Sequence, residues 1–89
     1  MSKGINLYII SAKRFTGSYV YAGVITGNKL SHTTLPGWGG SINFAKTFTS
    51  IKTAKEWFNK NQYSLLDNIG INFNTLGIRE IEFKTVKKL

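Results

Sequence analysis

A chain of 89 residues cannot divide its core in two, because a domain this small buries only about 60 to 65% of its unfolded surface, so a second domain is excluded. Hydrophobic residues at 42% and aromatics at 13% exclude the disordered class and predict a packed core. Twelve Lys and Arg against four Asp and Glu give a formal charge of +8, which calls for an anionic partner, while the absence of cysteine excludes disulfides, thiolate nucleophiles and cysteine-based zinc sites.

In chain order, Ile5 to Ala12 (INLYIISA) alternates loosely and reads as a strand apolar on both faces. Lys13 to Ser18 (KRFTGS) supplies turn residues before Tyr19 to Thr26 (YVYAGVIT) resumes strand chemistry, so the pair predicts an antiparallel hairpin. Gly27 and Asn28 form a tight-turn dipeptide, after which KLSHTT is expected as a short third strand. Ser31 to Ser41 (SHTTLPGWGGS) holds the only histidine, the only proline, one of two tryptophans and three of nine glycines, and it reads as a loop. Ile42 to Phe48 (INFAKTF) is expected as a further strand, with Ile42, Phe44 and Phe48 on one face.

Thr49 and Ser50 mark a helix start, since either hydroxyl can accept a first-turn N–H. In IKTAKEWFNKN, Ile51, Ala54, Trp57 and Phe58 then follow helical spacing, with Lys52, Lys55, Glu56 and Lys60 on the solvated side. The Asn59 to Gln62 run weakens the helix, and Leu65, Leu66 and Ile69 are expected to continue it for another turn or two before Gly70 ends it. INFNTLG and IREIEFKTV predict one or two strands, with Ile81 and Phe83 inward and Glu80 and Glu82 outward. The expected fold is a single α+β domain over residues 1–89: a small antiparallel sheet of four to five strands with one main helix packed on one face.

Catalytic and metal chemistry find little to stand on. Glu80 and Glu82 share an exposed strand face, where carboxylates serve as partners for lysine, and no nucleophile-elbow pattern joins His32 to Asp67. One histidine without cysteine or a second histidine does not make a tight metal site. GWGG lacks the spacing of both the P-loop and the dinucleotide fingerprint. A non-enzymatic protein with no cofactor and no metal is expected. No run approaches the roughly 18 apolar residues of a bilayer span, and MSKGINLYII is interrupted too early for a signal peptide, so a soluble cytoplasmic protein with no membrane partner is expected.

Binding chemistry concentrates around the Gly/Trp segment. Trp38, with glycine on both sides, either folds back over the core or projects outward to stack on a base or on a partner's apolar surface. Lys13 and Arg14 beside Phe15, together with Lys29 and Lys46 at the loop's ends, are the materials of phosphate clamps. The candidate ligand-binding set is Lys13, Arg14, Lys29 and Lys46 for charge, Trp38 for stacking, His32, Thr33 and Thr34 for directional hydrogen bonds, and Gly39 and Gly40 for backbone N–H groups turned toward an anion. Tyr19 and Tyr21 share a strand face with Ile25, a stripe that suits a core or a dimer interface.

Ala45 to Ala54 (AKTFTSIKTA) places an Ala-x-x-Phe strand end before a hydroxyl cap and an alanine-bearing amphipathic helix. This junction, the Ile, Asn and Lys richness and the closing EIEFKTVKKL resemble very small accessory proteins of bacteriophages and mobile elements of AT-rich bacteria. The resemblance implies a short, phage-encoded, non-enzymatic protein that works by occupying a host enzyme, a nucleic acid or a signalling nucleotide in antiphage defence. The expected function is a basic binding module that engages a phosphate-bearing ligand, nucleic acid or small nucleotide, through the Gly/Trp loop and the Lys/Arg cluster. The alternative is a protein–protein inhibitor that anchors Trp38 and the tyrosines on an acidic host protein. A sheet this small exposes edges that a homodimer would cover.

Overall fold

A computed structural model describes residues 5–26 and 34–83. Four strands form one antiparallel sheet in the order β3-β2-β1-β4: β1 Ile5–Arg14, β2 Tyr19–Thr26, β3 Thr34–Gly39 and β4 Ile71–Phe83. Helices α1 (Ile51–Lys60) and α2 (Gln62–Leu66) pack on one face, which is the expected α+β architecture. Among these residues no helix is long and apolar enough to cross a membrane.

The β1–β2 hairpin closes through Arg14 and Ser18, with Gly17 at φ 98°, a conformation glycine adopts without the Cβ penalty. The two strands pair only from Ser11 to Lys13 against Tyr21 to Tyr19. Beyond that the chain at 45–48 bonds to both of them: Lys46 N–H donates to the Ala22 carbonyl at 2.9 Å, and Tyr8 and Phe48 exchange two backbone bonds of 2.8 and 2.9 Å. A segment expected as an ordinary strand with Ile42, Phe44 and Phe48 on one face is therefore a 3-10 turn at Ile42–Phe44 followed by a wedge. Ser41 starts the turn by accepting the Asn43 N–H. Phe44 then covers Gly23 and Gly39 on one side of the sheet, while Phe48 enters the core on the other.

The expected loop is also partly strand. Residues 27–33, which include most of the predicted third strand, lie outside the described residues, and Thr34 to Gly39 pair with Thr26 to Tyr21 as β3. Pro36 is tolerated because β3 is an edge, where one side of the backbone needs no donor. At the opposite edge β4 is one strand of thirteen residues. Its register against β1 shifts between Ser11 and Lys13, and Thr75 Oγ1 seals the irregularity by donating to the Asn72 carbonyl and accepting the Lys13 N–H.

The core lies between sheet and helices. Ile10, Ala22, Phe48, Ala54 and Leu65 form one buried cluster and Ala12, Val20 and Ile71 a second, with Trp38 and Leu76 packed against both. Ser50 caps α1, its hydroxyl accepting the Thr53 N–H at 3.1 Å. Ala54 is the position where α1 sits flush on the sheet, and Trp57 packs beside Phe48 with ring centroids 5.6 Å apart. Three expectations fail here. Ile51, the first residue of α1, is half exposed, and Ile69 is 98% exposed, because the chain restarts at Asn61 as the five-residue α2, of which Leu65 alone is buried. Ile81, expected inward, pairs with Leu7 on the face away from the helices; the Phe83 side chain is outside the described residues.

Candidate functional site

Alternation along the strands decides which side chains stand on the face opposite the helices. Ile10, Ala12, Val20, Ala22 and Ile78 face the core, so Ser11, Lys13, Tyr19, Tyr21, Gly77 and Arg79 stand on the other face. Lys13 lies directly across from Tyr19 and holds its Nζ 5.0 Å from the ring centroid. Arg79 starts on β4, beyond β1, and brings its Cζ to 5.3 Å from the same centroid. Gly77, two residues earlier on the same face of β4, has nothing within 4 Å of where a Cβ would stand. Tyr19 and Tyr21 complete the cluster, with centroids 6.5 Å apart and planes 17° from parallel.

This surface is accessible and electropositive. Tyr19 is 46% exposed and Arg79 is exposed, whereas Ile9 and Ser11 beneath them are buried, which gives the exposed groups a rigid floor. Two cations beside one ring are each held by about 0.5–1 kcal/mol at an exposed site, weak enough to turn toward a better anion. The carboxylates Glu56, Asp67 and Glu80 belong to α1, to the α2 end and to the helix side of β4, so none of these three neutralises the face.

The residues singled out from sequence scatter. Lys13 is at the site, but Arg14, next along the strand, points to the other face, with its Nη1 3.9 Å from where a Gly40 Cβ would stand. Lys46 is half-buried in the wedge with its Nζ 5.6 Å from the Phe48 ring centroid. Trp38 folds back: its Nε1 donates to the Leu65 carbonyl at 2.8 Å, and its ring packs 6.2 Å from Phe73. The outward-stacking arrangement of Trp38 is thereby corrected, since β3 turns that position toward the helices. Gly39 lies under the Phe44 ring and Gly40 is exposed. Lys29, His32 and Thr33 fall outside the described residues, as does the side chain of Thr34, whose backbone opens β3.

Tyr19, Tyr21 and Arg79 are the members that sequence reasoning left out of the binding set. The tyrosine stripe was legible as a shared face; Lys13 could have been placed on it from the short hairpin turn, while Arg79 needed the β1–β4 register. A separate apolar cleft of about 490 Å³ opens between α1 and β4, lined by Ile10, Ile51, Lys55, Phe58, Leu76 and Ile78. Among the described residues no three of His, Cys, Asp and Glu gather as metal ligands would. Comparisons with protein-family models, curated proteins and solved structures found no match to this chain.

Proposed function

We propose that this chain is a non-catalytic cytoplasmic binding module that engages a phosphate-bearing ligand, nucleic acid foremost, on the sheet face away from its helices. The observation that carries the reading is the convergence of Lys13 and Arg79 on the ring of Tyr19. Paired cations at an exposed ring combine the two interactions by which proteins hold nucleic acids without reading a groove, phosphate neutralisation and base stacking. The formal charge of +8 supports it by steering polyanions toward the surface. Trp38 plays no part in this surface, being committed to Leu65. The alternative of an acidic host protein held by aromatic anchors consequently keeps only the tyrosines.

The test is fluorescence anisotropy of a labelled oligonucleotide over a range of salt. Each phosphate contact contributes about 0.9 to the slope of log K against log salt on duplex DNA and about 0.7 on a single strand. Lys13→Gln and Arg79→Gln together are expected to weaken binding and to flatten the slope by about the contribution of two contacts. Binding that ignores both substitutions, or that is insensitive to salt, defeats the proposal.

A further inference from the structure

We infer that the nucleic acid this face takes is single-stranded, one base lying against Tyr19 and Tyr21 while Lys13 and Arg79 hold the phosphates on either side of it. The inference rests on the reading above and narrows it to one substrate class. Three features of the site lead there.

The first is spacing. The two tyrosine rings stand 6.5 Å apart and nearly parallel, whereas successive bases along one strand of a duplex advance about 3.4 Å. Two neighbouring bases that remain stacked in a duplex therefore cannot meet the two rings in step. A strand whose bases have separated can set one of them on the pair, and every base has a π-face to offer.

The second is where the rings stand. Tyr19, Lys13 and Arg79 come from β2, β1 and β4, three adjacent strands, so the cluster spreads across the sheet face from β2 to the β4 edge, at the hairpin end. A duplex groove admits a helix or a two-stranded ribbon, and this surface is neither. A duplex laid on it would touch the cations with its outer phosphates and leave the rings idle, because its base faces are buried in the stack. Gly77, on the same face two strands from Tyr21, has nothing within 4 Å of its Cβ position, so no side chain at that position walls off this side of the cluster.

The third is the number of cations. Lys13 reaches the ring from the strand directly opposite and Arg79 from one strand further. Two positive groups beside one aromatic pair suit a nucleotide with phosphate on both its 5′ and 3′ sides, which a chain supplies and a mononucleotide does not. The guanidinium of Arg79 adds a second planar surface, able to stack or to fork onto phosphate oxygens.

The experiment compares a fluorescein-labelled oligothymidylate, an oligouridylate, a hairpin duplex with the same number of phosphates, and thymidine monophosphate as competitor, all at one salt concentration. Both single strands are expected to bind about tenfold more tightly than the duplex, with the monophosphate a poor competitor. Tyr19→Leu is expected to cost about tenfold on the single strands and nothing on the duplex, while Tyr19→Phe, which keeps the ring, restores wild-type affinity. Thermal melting of each variant separates loss of the ring from loss of the fold. Equal affinity for duplex and single strand, with dependence on Lys13 and Arg79 intact, overturns the single-strand inference and leaves the phosphate reading standing, as does tight competition by the monophosphate. No binding of any of the four brings down both.

Discussion

Trp38 shows how one polar atom settles the use of a large side chain. Flanked by Gly37 and Gly39, the indole has no local constraint, and its direction is set by β3, which points position 38, paired with the buried Ala22, at the helices. Its N–H then finds the Leu65 carbonyl at 2.8 Å, near the end of α2 where helix carbonyls lack intrahelical partners. Trp38→Phe keeps most of the apolar contact and strands that carbonyl, so a loss of about 1–3 kcal/mol is expected, read as a lower urea midpoint with an unchanged m-value. An unchanged midpoint would mean that the bond contributes nothing and that α2 is held by Leu65 packing alone.

Elements in this protein are placed by what the neighbouring strand lacks. The wedge at 45–48 exists because β1 and β2 stop pairing after three residue pairs, which leaves backbone groups on both strands that need partners. The 3-10 turn before it is seated by absence of side chains: Phe44 rests on Gly23 and Gly39, two positions of adjacent strands. Gly23→Ala would drive a methyl into the Phe44 backbone carbonyl and ring, and since a carbonyl cannot move aside as a flexible side chain does, a cost of about 1–3 kcal/mol is expected. Gly77→Ala, where the space is open, serves as the contrast, with stability equal to or slightly above wild type by reduced unfolded-state entropy. Chemical denaturation of the two variants side by side checks both signs, and similar losses at both sites would show that strand glycines here matter for backbone freedom and not for seating Phe44.

For the molecule as a whole, charge is spread but its surroundings are not. Lys52, Lys55 and Lys60 line α1 beside Glu56, on the helix layer, while Lys13 and Arg79 share the opposite face with aromatic rings. On the proposed binding reading the first group would act on a distant polyanion through the summed field and the second through contact, two modes that separate kinetically. Lys52→Gln with Lys55→Gln is expected to slow association at low salt and leave dissociation unchanged, whereas Lys13→Gln with Arg79→Gln raises the dissociation rate. Stopped-flow measurement on the labelled single strand reads both, and faster dissociation from the α1 pair would move the contact surface to the helix side.

Several features were settled by residue order alone. The α+β class, the β1–β2 hairpin, the cap at the start of α1 and the core positions Ala54 and Trp57 follow from alternation, turn residues and helical spacing, which act over a few neighbouring residues. Only the tertiary structure decided the rest: that Pro36 and Trp38 belong to an edge strand, that the chain at 45–48 wedges between two others, that the apolar Ile69 is exposed, and that Arg79 meets Tyr19. All but the exposure of Ile69, which follows from the early end of α2, depend on register between segments far apart in the chain. A shift of one residue turns every side chain to the other face, so no local pattern could have told that Arg79 would join the tyrosines and Lys13 on one surface.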